Sequence, residues 1–463
     1  MMASPRRLAV LNVVGLTEGL TDSGYLPRIR THAHSPGHSL LRIQPSLPAV
    51  TSTVQATYLT GKPPSHHGIV ANGWYERERS EHQFWKQSDR LVRGPKLWEA
   101  LRESRSDFTC ARLFWWNNMF STVDVSITPR PIYCADGNKV FDVTAQPLSL
   151  RDEVKGKLGP FPFPQFWGPM AGIDSSTWIA NSAKFVEEKE SPDLSFVYLP
   201  HLDYDFQRWG PTDHRSLQAL RDIDSIVGDL LDFYESRGVD VVILSEYGIT
   251  SVDQPVHLNR HFREQGWLEI KNELGREILE LGACRAFAIA DHQLAHIYVQ
   301  DPTLKGEVEA LLSSLDGVAQ VLGEEGKWEE GLDHPRSGDL IAVSQPNAWF
   351  TYYFWEDDAL APDYARTVDI HRKPGYDPVE LFVDPDLRLP KIKAGTKLLA
   401  KKLGFRTLFD LIPLDASLIK GSHGALPKSK QDWPVVLGPL AETASPEIPA
   451  EEVYQQLHSL LSS

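Results

Sequence analysis

The chain has 463 residues, of which 41% are hydrophobic and 24% are charged, as in an ordinary globular protein. This composition excludes wholesale disorder, and the length allows roughly two to four domains or one large domain with insertions. Lysine and arginine number 47 against 62 for aspartate and glutamate, which gives a formal net charge of −15. A surface this negative repels nucleic-acid phosphates and anionic lipid, so we expect no nucleic-acid partner and no polybasic docking on membranes.

The sequence also disfavours export, membrane insertion and disulfide bonding. Arg6 and Arg7 precede the apolar stretch 8–16, an order that imitates an export signal. No small-residue cleavage pattern follows, and we interpret the stretch as a buried first strand. No apolar run approaches the ~20 residues that a membrane span needs. The cysteines lie far apart without CxxC spacing, which suits a reducing compartment and predicts a cytoplasmic location: they are Cys110, Cys134 and Cys284.

In chain order, three short and almost wholly apolar runs predict strands that are buried on both faces, at 8–16, 194–199 and 239–244. Weaker strand candidates lie at 295–299 and 340–343. Apolar residues spaced for one helix face are clearest over 216–237, and Pro95 suits the first turn of an earlier helix. Strands that alternate with helices predict an α/β core with a mainly parallel sheet.

Two regions lack this alternation. The stretch 117–191 is rich in proline, glycine and aromatic residues and has little periodicity, which predicts an inserted cap. Residues 426–463 are again proline-rich and end in a short amphipathic segment, which predicts a surface tail. We therefore expect one main domain over residues 1–425, interrupted by the cap and followed by the tail.

In open α/β sheets, ligands bind beyond the carboxyl ends of the strands. His201, Asp203 and Asp205 follow the second apolar run, and in an extended backbone their side chains would share one face. Imidazole and carboxylate groups suit a divalent cation, although a solvated turn with charge-paired aspartates would give the same pattern. Glu246 follows the third run and is either a further ligand or part of an ordinary turn closed by Gly248.

Other candidate residues lie in loops and at one helix start. Thr51 lies in a hydroxyl-rich segment; at a helix N-terminus its oxygen could attack phosphorus, or it could simply cap the helix. Asn72 lies among small residues that allow close backbone approach, and glycines flank His423 as they often flank a ligand in a tight turn. Arg372 and Lys373 are cations that could meet an anionic substrate, which even an acidic protein can bind.

Together these segments resemble the alkaline phosphatase superfamily, and most of all its nucleotide pyrophosphatase/phosphodiesterase branch and phosphonoacetate-hydrolase relatives. The most specific segment is PAVTSTVQATYLTGKPPSHHGIVANGW at 48–74; FVYLPHLDYDFQRWGP, VVILSEYGIT and GSHG follow in the family's order. The resemblance spans about 8–425 and implies a three-layer αβα fold with a mainly parallel sheet, that is, an alkaline phosphatase-like catalytic domain. It also implies that Thr51 is the nucleophile and that Asn72 holds a phosphoryl oxygen.

The resemblance implies a metal site that this chain has altered. Members of the family bind two divalent cations, usually zinc, through six Asp and His side chains. By position these ligands fall on Val14, Asp203, Gln207, Glu246, Tyr247 and His423. We therefore expect fewer than two ions, with zinc as the first choice and manganese or magnesium as alternatives. Asp203 and His423 would hold the ion, helped by Glu246 or His201.

Two functions follow from the resemblance. The first is a metal-dependent hydrolase that acts on a phosphodiester, pyrophosphate or phosphonate through Thr51, with a small phosphorylated substrate as its partner. The alternative is a pseudoenzyme that binds a phosphorylated ligand or a partner protein without turnover. Retention of Thr51 and Asn72 favours chemistry, whereas loss of the ligands favours binding.

Overall fold

The computed structural model describes residues 6–462. Its helices are α1 (Glu18–Thr21), α2 (Pro27–Ala33), α3 (Thr51–Thr60), α4 (Pro64–His67), α5 (Leu97–Ser104), α6 (Leu148–Leu158), α7 (Ile173–Glu190), α8 (His201–Trp209), α9 (Ser216–Glu235), α10 (Leu258–Glu264), α11 (Lys305–Ser314), α12 (Glu324–Glu329), α13 (Pro390–Lys402) and α14 (Glu452–Ser462). Its strands are β1 (Leu8–Val13), β2 (Ser39–Gln44), β3 (Gly73–Glu76), β4 (Glu81–Phe84), β5 (Cys110–Leu113), β6 (Val125–Pro129), β7 (Ile132–Tyr133), β8 (Lys139–Val140), β9 (Val143–Gln146), β10 (Leu194–Leu199), β11 (Asp240–Leu244), β12 (Thr250–Ser251), β13 (Gln254–Val256), β14 (Ile270–Glu273), β15 (Arg276–Leu279), β16 (Ala286–Asp291), β17 (Leu294–Val299), β18 (Val318–Leu322), β19 (Leu340–Ser344), β20 (Ala348–Phe350), β21 (Gly421–Ser422), β22 (Val435–Gly438) and β23 (Glu447–Pro449).

The core is a nine-stranded sheet in the order β23-β2-β22-β11-β1-β10-β5-β6-β9. Its three central strands, β11, β1 and β10, are parallel, with Leu8 opposite both Asp240 and Leu194. These are the three apolar runs that the sequence singles out, and their common direction confirms the predicted mainly parallel α/β core. Because the strands are parallel, their carboxyl ends meet at one edge of the sheet.

Helices cover this sheet in two groups. Helices α2 and α7 both pack against α9, and helices α3 and α5 both pack against α14. Both groups contribute to the hydrophobic cluster that contains the sheet. All six residues of β1 are buried, which explains why its sequence does not alternate between apolar and polar residues. Each large aliphatic side chain buried in this way contributes about 1.5–3 kcal/mol to stability.

The two irregular regions of the sequence are largely part of the core. The predicted cap at 117–191 supplies sheet strands β6 and β9 and the core helix α7, so only its middle, with the β7–β8 hairpin and the Phe161–Met170 segment, extends over the site. The prediction that residues 426–463 form a surface tail was wrong. Strand β22 lies inside the sheet between β2 and β11, and α14 buries Val453 and Leu457 against α3 and α5.

A second, four-stranded sheet has the order β16-β17-β19-β18. It contains both weaker strand candidates, which form β17 and β19 outside the main sheet and pair antiparallel with each other. Its first hairpin places Asp291 and His292 beside the main domain. No helix within residues 6–462 is long and apolar enough to cross a bilayer.

Candidate active site

Residues that follow the central strands meet at one edge of the main sheet. Glu246 and Tyr247 follow β11, and Asp203 lies in the first turn of α8, which begins just after β10. Strand β21 pairs with β12 and brings His423 to the same place, where its ring stacks on that of Tyr247 at 3.6 Å. The topology thus collects side chains that are far apart in the sequence.

Thr51 is the first residue of α3, as its hydroxyl-rich segment predicts. It is buried, and its Oγ1 lies 3.1 Å from Oη of Tyr247. The side chain of the preceding residue, Val50, cannot accept a hydrogen bond from the first N–H groups of the helix. A helix N-terminus with a hydroxyl at its first position favours a bound anion next to a nucleophile.

Asn72 is fixed on both sides by hydrogen bonds. Its Oδ1 accepts from the backbone N–H of Ser52 at 2.9 Å, beside Thr51. Its own backbone N–H and Nδ2 donate to the carboxylate of Asp291 at 2.7 and 3.2 Å. Burial raises the pKa of Asp291 to about 6, against the hydrogen bonds from Asn72 that lower it. Asn72 therefore connects the start of α3 to the second sheet.

Asp203 is held by two hydrogen bonds from residues at the family's other ligand positions. Gln207 Nε2 donates to Oδ2 at 2.8 Å, and Tyr247 Oη donates to Oδ1 at 3.4 Å. The remaining polar atom of Gln207, Oε1, accepts from Tyr376 at 2.9 Å. Burial raises the pKa of Asp203 to about 7, although both hydrogen bonds lower it.

Glu246, the residue before Tyr247, is fully buried. Its Oε1 accepts from Asn12 at 2.6 Å and from Gln55 at 2.5 Å. Its Oε2 makes no hydrogen bond to any residue in 6–462. Burial raises the pKa of Glu246 to about 8, against the Gln55, Asn12 and Thr51 side chains, which lower it. Glu246 is thus a buried carboxyl group with one free acceptor atom.

His423 is held in one orientation and one tautomer. Its Nδ1 lies 2.8 Å from the carbonyl oxygen of Ala49, which can only accept, so Nδ1 carries the proton. The ring lies next to those of Tyr247 and His292, at 3.6 and 3.8 Å. Its Nε2 makes no hydrogen bond to the described residues and lies 3.8 Å from Asp203 Oδ1.

These residues do not fit the pair of metal ions that the resemblance implies. Val14 is buried in the hydrophobic core and offers no ligand atom. The polar atoms of Gln207 and Tyr247 are engaged in hydrogen bonds to Asp203, Tyr376 and Thr51. No group of three or more His, Cys, Asp or Glu side chains in residues 6–462 is arranged to hold an ion. What remains is the Asp203–His423 pair. Two protein ligands are fewer than the three of a typical catalytic zinc site.

His201 is not where the sequence pattern places it. Residues 201–209 form α8 rather than an extended segment, so the expected shared face of His201, Asp203 and Asp205 was wrong. The imidazole of His201 is buried, and its Nε2 lies 4.0 Å from Asp222 on α9. Asp205 pairs with Arg208 at 3.0 Å. Neither residue can assist Asp203, because positions two apart on a helix diverge.

Lys373 and Arg372, the two cations predicted to bind substrate, lie in different environments. Lys373 is buried and pairs with Asp377 and Glu380, both at 2.7 Å, so its charge is already matched within the fold. Burial lowers the pKa of Lys373, but these two carboxylates outweigh that effect and raise it. Its predicted contact with substrate is therefore wrong. Arg372 is exposed and lines the cavity described next.

A cavity of about 740 Å³ leads from solvent to Thr51, Asp203 and Tyr247. Its walls are mainly aromatic and include Trp85, Trp116, Phe141, Phe163, Phe166 and Trp167. Four exposed cations border it, namely Lys86, Arg130, Lys139 and Arg372. A pocket with apolar walls, a polar floor and cations at its opening suits an anion that carries a large apolar or aromatic group.

Sequence reasoning missed several residues that organise the floor. Asn12 and Gln55 lie inside a strand and a helix, where polar residues draw no attention, yet both bind Glu246. Asp291 and His292 had a usable signal, because an Asp-His pair follows the apolar run AFAIA. Tyr376, which stacks on His292 at 3.6 Å, gives no signal in the sequence.

Comparison with known proteins agrees with this geometry. The family model described as type I phosphodiesterase / nucleotide pyrophosphatase matches residues 8–377. A curated relative, an uncharacterized pyrophosphatase/phosphodiesterase of the fission yeast Schizosaccharomyces pombe, is 23% identical over 264 residues. That match covers 55% of this chain and 47% of the relative, so the chain spans about half the length of the curated relative it matches.

Solved structures show the same fold at low sequence identity. Phosphonoacetate hydrolase from Sinorhizobium meliloti 1021, in complex with phosphonoformate, superposes with a TM-score of 0.62 and 14% identity, over 99% of this chain and 95% of that chain. An inactive variant of murine ectonucleotide pyrophosphatase/phosphodiesterase 5, in complex with AMP, gives 0.58 and 13% over the same shares. The fold, with its large and mainly parallel central sheet, is therefore that of alkaline phosphatase-like proteins.

Proposed function

Because this chain belongs to the type I phosphodiesterase/nucleotide pyrophosphatase family, a family of hydrolases, we propose that it hydrolyses a phosphodiester, pyrophosphate or phosphonate with Thr51 as the nucleophile. The observation that carries the proposal is the position of Thr51. Its hydroxyl lies at the N-terminus of α3, on the floor of a cavity wide enough for a small phosphorylated molecule. Tyr247 holds the hydroxyl in place.

In this reaction Thr51 Oγ1 attacks phosphorus. A bond forms between Oγ1 and phosphorus while the bond to the leaving oxygen breaks, and Glu246 Oε2, which has no other partner in the described chain, accepts the threonine proton. The released oxyanion takes a proton from solvent. Water then forms a bond to phosphorus while the bond between phosphorus and Thr51 Oγ1 breaks, Glu246 returns its proton to Oγ1, and the attacking water loses one proton to solvent. The N-terminal N–H groups of α3 favour the negative charge of the phosphoryl group.

Metal dependence remains a prediction. The residue set does not fit two ions, so the proposal assigns the reaction to Thr51, Glu246 and the helix N-terminus. Support for one ion comes from His423 Nε2, a buried nitrogen that makes no hydrogen bond to residues 6–462 and lies 3.8 Å from Asp203. Such an ion would polarise a phosphoryl oxygen. Element analysis of the purified protein, with at most one ion per chain expected, tests this part alone.

A substrate screen tests the proposed function. The panel contains an aryl phosphodiester, an aryl phosphonate ester, a dinucleotide pyrophosphate and an aryl phosphomonoester. Each substrate is assayed after chelation and after addition of zinc, manganese or magnesium. We expect turnover of a diester, pyrophosphate or phosphonate that disappears in Thr51→Ala. Turnover that persists in Thr51→Ala would contradict the assigned nucleophile.

A second function, binding without turnover, is supported by the state of the altered ligands. Gln207 and Tyr247 already form a closed hydrogen-bonded network with Asp203 and Tyr376, as expected of a site that has adapted to the absence of ions. On this account AMP or phosphonoformate would bind in calorimetry, and no member of the panel would be cleaved under any metal condition.

A further inference from the structure

Helix α13 exposes apolar side chains to solvent along its length. Within residues 6–462 it is a helix with no buried residue. Ile392, Leu399 and Leu403 are 59%, 58% and 67% exposed, and their spacing of seven and four residues places them on one face of the helix. Leu389 and Phe405, at the two ends, are 62% and 66% exposed. A contiguous apolar stripe of this kind is unusual on a water-facing surface.

The charged side of α13, rather than its apolar side, faces the rest of the protein. Lys393 Nζ donates to the backbone oxygen and the carboxylate of Asp410 at 2.9 and 3.2 Å, and Lys397 pairs with the same carboxylate. An amphipathic helix usually packs its apolar face on the core. Here two lysines anchor the helix, and the apolar stripe faces outward.

The same segment is strongly cationic in a chain that is acidic overall. Residues 388–409 contain no acidic residue and seven basic ones: Arg388, Lys391, Lys393, Lys397, Lys401, Lys402 and Arg406. The net charge of the whole chain is −15. The net negative charge of the whole chain disfavours membrane docking, but the surface formed by residues 388–409 is locally positive.

This surface lies within electrostatic range of the mouth of the cavity. The pKa of Asp136, at the tip of the β7–β8 hairpin, is lowered mainly by hydrogen bonds from Asn138 and, as the smallest influence, by the charge of Lys401 on α13. On the hairpin Tyr133 and Phe141 are 52% exposed and line the cavity. We call α13, its flanking residues 388–406 and the hairpin the docking surface.

We propose that the docking surface binds an anionic phospholipid membrane, with the apolar stripe of α13 in the headgroup region and the cavity mouth turned toward the lipid. Apolar residues flanked by lysine and arginine on a surface helix have the composition of helices that lie in a membrane interface. The proposal concerns binding and holds whether or not the cavity is catalytic.

Lipid fits this surface better than a protein partner does. The apolar side chains project from a helix that has no buried residue, and a protein partner would need a groove shaped to receive them. A bilayer accepts projecting side chains without such a groove. Its anionic headgroups match the five cations of the segment other than Lys393 and Lys397, which Asp410 engages.

Cosedimentation with vesicles tests the proposal on the full chain. We expect binding to vesicles of phosphatidylcholine with 30% phosphatidylglycerol, weakened by raising the salt from 0.1 to 0.5 M, and little binding to pure phosphatidylcholine. The triple variant Lys391→Gln, Lys401→Gln, Lys402→Gln should weaken binding about 100-fold, at about fivefold per cation near the surface. The triple variant Ile392→Ser, Leu399→Ser, Leu403→Ser should weaken it by about 100-fold or more.

Two matched control variants distinguish binding through the docking surface from nonspecific binding to vesicles. Leu148→Ser, Leu274→Ser, Trp328→Ser removes three exposed apolar side chains elsewhere, and Lys62→Gln, Lys157→Gln, Lys428→Gln removes three exposed cations elsewhere. Both controls should bind vesicles as the unmodified chain does. All substituted residues are exposed or partly exposed, so thermal unfolding should be unchanged in every variant.

Three results would overturn the proposal. They are no binding to anionic vesicles, equal loss of binding in the control variants, and sedimentation velocity showing that the apolar stripe instead joins two copies of the chain. Cosedimentation does not measure substrate turnover. The vesicle-binding result can therefore be interpreted even if the proposed hydrolysis is not observed.

Discussion

At its floor the cavity is formed by buried polar groups that bind one another, whereas at its mouth it is bordered by exposed apolar and cationic side chains. Asp203 on the floor is buried, as are Glu246, which precedes Tyr247, and His423, which stacks on Tyr247; strand ends and helix starts hold them in place. Phe141 at the mouth is 52% exposed, and Arg372 is exposed beside it. In the proposed reaction the preorganised floor acts on the phosphoryl group, and the mouth receives the organic group that the phosphoryl group carries.

Loss of the Thr51 hydroxyl should have the largest effect. Thr51→Ala removes the attacking oxygen and should lower kcat by about a thousandfold or more, with unchanged metal content. Thr53→Ala is the matched control, because Thr53 is buried on the same helix and its hydroxyl makes no hydrogen bond to the described residues. Initial rates on an aryl phosphodiester measure both. Equal losses in the two variants would mean that the floor is merely structural.

Restoring the family's ligands should convert the floor from hydrogen bonding to metal binding. The variant Val14→Asp, Gln207→His, Tyr247→His supplies one carboxylate and two imidazoles and should bind two zinc ions, where the unmodified chain binds at most one. Calorimetry and element analysis give the stoichiometry, and the double variant without Val14→Asp is the control. Two equally tightly bound ions in the unmodified chain would contradict our inference that Val14 removes a metal ligand.

Acid should destabilise the fold through His67, a buried histidine that contacts α3. His67 accepts a hydrogen bond from Ile69 N and contacts Thr57 Oγ1 on α3, and burial lowers the pKa of His67 to about 3. Because this folded-state value lies below the unfolded value of 6.5, the stability contribution is present above pH 6.5 and is lost as the pH falls toward 3. The loss from this group is about 2 kcal/mol at pH 5.

Denaturant unfolding from pH 7 to pH 5 measures this effect. His67→Gln should reduce the dependence of the free energy of unfolding on pH. His66→Gln, at the exposed neighbouring residue, should leave that dependence unchanged. If the two variants show the same slope, a different group causes the loss.

Changes to the aromatic wall should have the smallest effect and should act on affinity. Phe141 and Phe163 stack at 4.8 Å near the mouth, and Phe141→Ala, Phe163→Ala should raise KM for an aryl ester about tenfold with little change in kcat. Phe120→Ala, an exposed ring outside the cavity lining, is the control. A fall in kcat at constant KM would mean that the wall positions the reacting group instead.

The sequence predicted the buried parts of the fold better than the rest. Uninterrupted apolar runs identified β1, β10 and β11, because strands buried on both faces have a clear composition. The regions 117–191 and 426–463 were misinterpreted as accessory, since β22 and α7 are too short or too mixed in composition to show that long-range pairing buries them. Local composition carries no information about such pairing.

For the site, position along the chain was informative and side-chain direction was not. Motifs identified Thr51 and Asp203, which line the floor of the cavity, and also Asn72, Glu246 and His423, which lie behind it in contact with residues of the same network; the role of all five stays a prediction. His201 was misplaced because the backbone after β10 turns at once into a helix, and Lys373 because its carboxylate partners are recognisable only in three dimensions. Asn12 and Gln55 were missed because a polar residue inside a regular element gives no periodic signal.

Detection of the covalent intermediate tests the central claim most directly. The chain is mixed with an aryl phosphodiester or phosphonate that turns over, quenched in acid within the first turnovers, digested and analysed by mass spectrometry. The account predicts a phosphoryl or phosphonyl adduct on the peptide that contains Thr51, and none in Thr51→Ala. Steady turnover with no adduct on that peptide, or an adduct on another residue, would contradict it.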